Sequence, residues 1–142
     1  MVCKYKLVNL DYTDWVEYIT FNRDTEKENA LFSDVLGLTE GDEYIFINKN
    51  FGSPPGTRVC EHIDINPSSM RVVNMEFYTG FSVFDWCKVI ENATQIHTVD
   101  TIIVCIIEKL ITCNNLNIYS RWTPPSFTSV KPILSARWKY NK

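Results

Sequence analysis

The sequence predicts a single α+β domain over residues 1–142, rich in β-structure and with about three packed helices. Three observations lead there. A chain of 142 residues supports one hydrophobic core and not two. Several short runs alternate apolar and polar residues between turn-forming ones, the pattern of antiparallel hairpins. Between them lie longer stretches with apolar residues at helical spacing. Composition agrees, since 45% hydrophobic, 13% aromatic and 22% charged residues suit a packed soluble core and not a disordered chain.

Lys4–Leu10 and Trp15–Phe21 are rich in aromatic and β-branched residues, with polar breaks at Asp11, Thr13 and Asp14, and read as a hairpin. Asp24–Leu36 has strong helix formers, an acidic first turn, a shared face of Ala30, Leu31, Val35 and Leu36, and Gly37 after its end. Tyr44–Ile47 is a short continuous apolar strand, and the glycines and prolines of Asn50–Gly56 make a loop. Val59–Ile65 and Arg71–Phe77, joined by Asn66-Pro67-Ser68-Ser69, read as a second hairpin. Phe81–Asn92 and Thr98–Cys113 carry helical spacing, although the β-branched content of the latter leaves a buried strand as its rival reading. Asn117–Trp122 and Val130–Tyr140 close the chain as extended segments around Pro124-Pro125.

Charge is distributed unevenly. Met1–Glu108 carries 17 acids and 8 bases, whereas Lys109–Lys142 carries six bases and no acid, so a net charge of −3 divides into −9 and +6. An acidic body with a basic segment points to an anionic partner. The bases Lys109, Arg121, Lys131, Arg137, Lys139 and Lys142 are interleaved with Tyr119, Trp122, Phe127, Trp138 and Tyr140. Rings beside cations can stack on unpaired bases or sit at a bilayer interface, so Trp122 and Trp138 join the six bases as candidate RNA- or membrane-binding residues. The alternative is that the two tryptophans are core and the bases a solvated face.

Signals for catalysis are weak. His62 and His97 have no second ligand at metal-site spacing, and five scattered cysteines without a C-x-x-C pair read as buried thiols in a reducing compartment. There is no G-x-S-x-G elbow, phosphate-binding Gly-Lys loop or G-x-G-x-x-G turn. No enzyme activity, cofactor or metal is expected, and a Cys-His hydrolase is the weakest reading kept. Pro124-Pro125-Ser126-Phe127 reads as a proline-rich turn more readily than as a P-P-x-Y ligand, because Phe replaces Tyr. The N-terminus meets charge at once and shows no secretory signal, and the longest apolar run, Thr101–Ile107, falls far short of the ~20 residues that span a bilayer. The reading is an intracellular protein whose membrane contact is peripheral only.

Ile63-Asp64-Ile65-Asn66-Pro67, followed by Val73-Asn74-Met75-Glu76-Phe77, resembles a segment of the bornavirus matrix protein family. The resemblance implies a negative-strand RNA virus matrix protein with two small antiparallel sheets, sandwich-like, and packed helices. It implies homo-oligomers, tetramers among them, that touch single-stranded RNA or ribonucleoprotein and the inner, anionic membrane face. The expected localisation is then the host cell interior, cytoplasm or nucleus, and the virion beneath its envelope. Together with the basic segment, this gives a matrix-type structural protein that bridges RNA to membrane. The alternative is a small viral accessory protein that binds a host protein.

Overall fold

Every strand-to-strand contact in the main sheet is parallel. The computed structural model describes residues 7–9, 11–52, 58–61, 63–65, 70–122, 124–128 and 130–141. Its sheet has five strands: β1 (Tyr44–Asn48), β4 (Arg71–Asn74), β5 (Gln95–Val99), β6 (Leu116–Tyr119) and β7 (Trp138–Asn141), in the spatial order β4-β1-β5-β6-β7. A separate antiparallel pair joins β2 (Asn50–Phe51) to β3 (Arg58–Val59). This is an α/β fold, and it overturns the expected β-rich domain of two small antiparallel sheets.

The register explains why. Phe46 lies between Val73 of β4 and Ile96 of β5, and all five residues of β1 are buried. A strand covered on both faces has no polar side to show, so its sequence is a continuous apolar run, the mark of a central parallel strand. Tyr44 and Phe46 point into the larger core with Ile96, Leu116, Ile118 and Trp138; Ile45 and Ile47 point into a smaller one with Cys60, Ile63 and Val99. The helices lie over the first face and the β1-to-β4 connection over the second. Right-handed crossovers demand this switch of face where the strand order reverses at β1.

Helices α2 (Thr25–Asn29), α3 (Cys87–Glu91) and α4 (Ile102–Lys109) follow a short α1 (Trp15–Tyr18). α2 starts where the Asp24 carboxylate accepts the Lys27 N–H at 3.1 Å, with Glu26 and Glu28 in the first turn complementing the helix dipole. It runs on as a π-helix over Ala30–Val35, burying Leu31 and Phe32, and stops at Gly37, whose φ of 59° suits a residue without Cβ. A 3-10 turn over Val83–Trp86 leads into α3. It is opened by a capping box in which Ser82 Oγ accepts the Phe84 N–H and Asp85 accepts the Ser82 N–H.

Among the described residues neither expected hairpin forms. In the first, residues 1–6 and 10 lie outside the described residues, and Trp15–Tyr18 is helical because Asp14 starts a turn and Trp15 buries its ring, donating its indole N–H to Ile133 O at 2.6 Å. In the second, β4 pairs in parallel with β1, β3 pairs with β2, and residues 66–69 lie outside the described ones. Alternation in Arg71–Phe77 reports an edge strand covered on one side, which looks the same in either pairing. Thr98–Cys113 is neither one helix nor one strand: β5 ends at Val99 and α4 begins at Ile102.

Candidate functional site

Parallel α/β sheets bind ligands outside the carboxyl ends of their strands, at the point where strand order reverses. Here that point lies between β1 and β5, and a crevice of about 340 Å³ opens there. Asn48, Asn50, Met75, Glu76, Thr101 and Arg121 line it, with Phe51, Phe77, Val83, Ile102 and Ile103 as its apolar walls.

The floor is built by the end of β1. Asn48, 3% exposed, donates its amide N–H groups to Thr98 Oγ1 at 3.0 Å and Thr101 Oγ1 at 3.2 Å, and its carbonyl accepts the Asn50 N–H at 3.3 Å. Asn50 in turn donates to Met75 O at 3.2 Å, tying β2 to the segment after β4. Thr101 is the N-cap residue of α4, yet it makes no side-chain cap hydrogen bond. Within the first turn Val104 donates its N–H to Thr101 O at 3.1 Å, while among the described residues no side chain caps the N–H groups of Ile102 and Ile103, both of which line the crevice.

Opposite stands Arg121, just past β6. Its backbone N–H donates to Asp100 Oδ1 at 3.2 Å, and its Nε lies 3.5 Å from the same oxygen. The guanidinium carbon is 5.3 Å from the Trp122 ring centroid, close enough for a cation–π contact. Asp100 is buried, and among the described residues its Oδ2 has no hydrogen-bond partner. Burial pushes its carboxyl above the usual range, with the Arg121 N–H and charge pulling the other way. The outer walls are apolar and open, with Phe77 73% and Ile102 58% exposed.

Comparison with family models, with curated proteins and with solved structures finds no match. A cation, the start of a helix and apolar rings suit a ligand with an anionic end and an apolar or ring-shaped body. Among the described residues no group of His, Cys, Asp and Glu side chains could hold a metal ion, and no helix is long and apolar enough to cross a membrane.

Of the described residues predicted from sequence, only Arg121 lines this crevice, with the Trp122 ring beside it at 5.3 Å from the guanidinium carbon. Lys109 lies at the other end of α4 and donates to Val16 O at 3.1 Å. Lys131 stands over the Tyr140 ring at 5.6 Å. Arg137 faces Glu108 at 3.8 Å, and Trp138 is buried with its indole N–H donated to the same carboxylate. Lys139 is exposed on β7, and Lys142 lies outside the described residues. The basic segment is thus spread over both ends of the sheet, with two of its arginines beside buried carboxylates.

A surface groove of about 400 Å³ beside Phe21, Arg23 and Ile111 is larger. Its cations are already engaged, Arg23 by Glu28 and Glu91 and Lys109 by Val16 O. Sequence reasoning missed Asn48, Asn50, Asp100 and Thr101. A signal existed for the last two, because Asp-Thr before an apolar run marks a helix start; reading Thr98–Cys113 as one element concealed it.

Proposed function

We propose that this domain binds an organic phosphate, a small molecule with an anionic phosphate end and an apolar or aromatic body, in the crevice between β1 and β5. The observation that carries the reading is the meeting of the uncapped start of α4 with the Arg121 guanidinium at the strand-order reversal. Backbone N–H groups and the helix dipole favour an anion there, and a guanidinium grips phosphate with paired N–H donors. Phe51 and Phe77 offer apolar rings to the rest of the ligand. Titration calorimetry with pyrophosphate and with a set of nucleoside diphosphates tests it. Binding should show one site, and Arg121→Ala should weaken it about 10- to 100-fold, as expected for a charge-assisted hydrogen bond of about 1.5–3 kcal/mol. No binding of any phosphate compound, or equal binding by the variant, refutes the reading.

A second reading keeps the matrix-type role, in which an oligomer bridges RNA or ribonucleoprotein to an anionic membrane. Trp122, 55% exposed beside Arg121, and the exposed Lys139 favour it. Flotation with anionic vesicles and a single-stranded RNA shift, each at two salt concentrations, would show salt-sensitive binding that Trp122→Ala with Lys139→Glu abolishes. Salt-insensitive or absent binding, or a stable monomer in size-exclusion chromatography, rules it out.

A further inference from the structure

We infer that Asp100 is the positioning residue of the crevice: its shielded carboxylate grips Arg121 from the Nε side and so aims the outer N–H groups of the guanidinium at a bound anion. The geometry follows from the parallel register. β5 and β6 are paired up to Val99 and Tyr119, so the residues just beyond the two strand ends emerge side by side. The Asp100 N–H donates to Tyr119 O at 3.1 Å, which continues the ladder by one step. One carboxylate oxygen, Oδ1, then meets both the Arg121 backbone N–H, at 3.2 Å, and the Arg121 Nε, at 3.5 Å.

Two contacts to a single oxygen fix the residue's backbone and the inner atom of its planar group together. The Trp122 ring, 5.3 Å from the guanidinium carbon, limits the remaining swing. Of the five N–H donors on a guanidinium, the four on the terminal nitrogens are then presented at a side chain that is 37% exposed and lines the crevice. Asp100 is only 2% exposed, so it cannot itself be the outward-facing group. An exposed arginine needs no buried acid for solubility. A buried acid at its Nε serves orientation at the cost of cancelling some attraction for the ligand.

That cost gives the test its sign. If Asp100 were merely a counter-charge, Asp100→Asn would leave the crevice more positive and tighten pyrophosphate binding. As a positioning residue, its replacement weakens pyrophosphate binding about tenfold, the worth of one well-placed charged contact. Tighter or unchanged binding by a folded Asp100→Asn protein overturns the assignment. This arm rests on the phosphate-crevice reading, and pyrophosphate bound by neither protein sinks that reading alone. A second arm needs no ligand. The Arg121 Nε–H resonance, assigned by its loss in Arg121→Gln, should be distinct in the wild type and collapse to the position of free arginine side chains in Asp100→Asn. An unmoved resonance overturns the assignment. Should Asp100→Asn fail to fold, the carboxyl carbon of Asp100 is titrated in Arg121→Gln. Its midpoint rises further if the guanidinium contact is real, and an unchanged midpoint overturns it.

Discussion

Replacing Glu108 with alanine tests whether the basic C-terminal segment is a folded part of the domain. The Glu108 side chain is 5% exposed. Its Oε1 accepts the Ser135 N–H at 3.0 Å, the Ser135 hydroxyl at 2.9 Å and the Trp138 indole N–H, while Oε2 faces Arg137 at 3.8 Å. Truncation orphans all of these. The half-buried Ser135 hydroxyl can turn to water, and Arg137 is open enough to be resolvated. The indole N–H of Trp138, 5% exposed, has no such outlet. At about 1–3 kcal/mol for a stranded donor, the loss should be about 3 kcal/mol, the lower end of what breaking a buried pair costs. Thermal unfolding should then move down by about 6–12 °C for a chain of this size. Urea unfolding followed by tryptophan fluorescence measures the loss, and Glu108→Gln, which keeps an acceptor, should cost about 1 kcal/mol. Hydrogen exchange should speed up at Ser135 and along β7. A loss below about 1 kcal/mol in Glu108→Ala, with unchanged exchange, would mean the segment is not held by this carboxylate.

Burial, and next the positive charge of Lys139, hold the His97 imidazole down to about 4. Its unfolded value is about 6.5, so the unfolded chain takes up the extra proton between the two, and stability falls as pH drops through that window. Relative to His97→Gln, the wild type should lose about 3 kcal/mol between pH 7 and pH 4, while a constant difference in denaturant midpoint would contradict this. Tyr44, fully buried, donates its hydroxyl to Val89 O at 2.6 Å, so Tyr44→Phe should destabilise by about 1–2 kcal/mol with no change in the sheet's circular dichroism. The Cys87 thiol, fully buried and pushed up to about 12 by burial, should react with a thiol reagent only as fast as the protein unfolds. Rapid labelling in native buffer would show that α3 opens locally.

Several elements were legible because their signals are local. The acidic first turn after Asp24, Gly37 as stop and the apolar face between them specify a helix wherever it packs, and the continuous apolar run Tyr44–Ile47 reads as a strand, which the fold buries on both sides. What failed was pairing. Val73 and its alternating neighbours would serve an antiparallel hairpin as well as a parallel edge, and only the distant partner Phe46 decides. The junction at Asp100 and Thr101 vanished into one long apolar run. The basic segment misled for a related reason, since the acids that meet Arg121 and Arg137, Asp100 and Glu108, come from earlier in the chain, and a charge count along the sequence separates what the fold brings together.

The central place of β1 carries a further consequence. Tyr44–Asn48 joins only to strands that follow much later in the chain, so it stays bare until they arrive, and slow non-local pairing of this kind prolongs the exposure. Four of its residues, Tyr44–Ile47, have high β-propensity and the run holds no charge, proline or glycine, the stuff of intermolecular cross-β stacking, and Glu43 and Lys49 flank it like charged bookends that keep copies apart. Heating at high protein concentration should therefore end in precipitate, whereas dilute, low-salt refolding should recover native material.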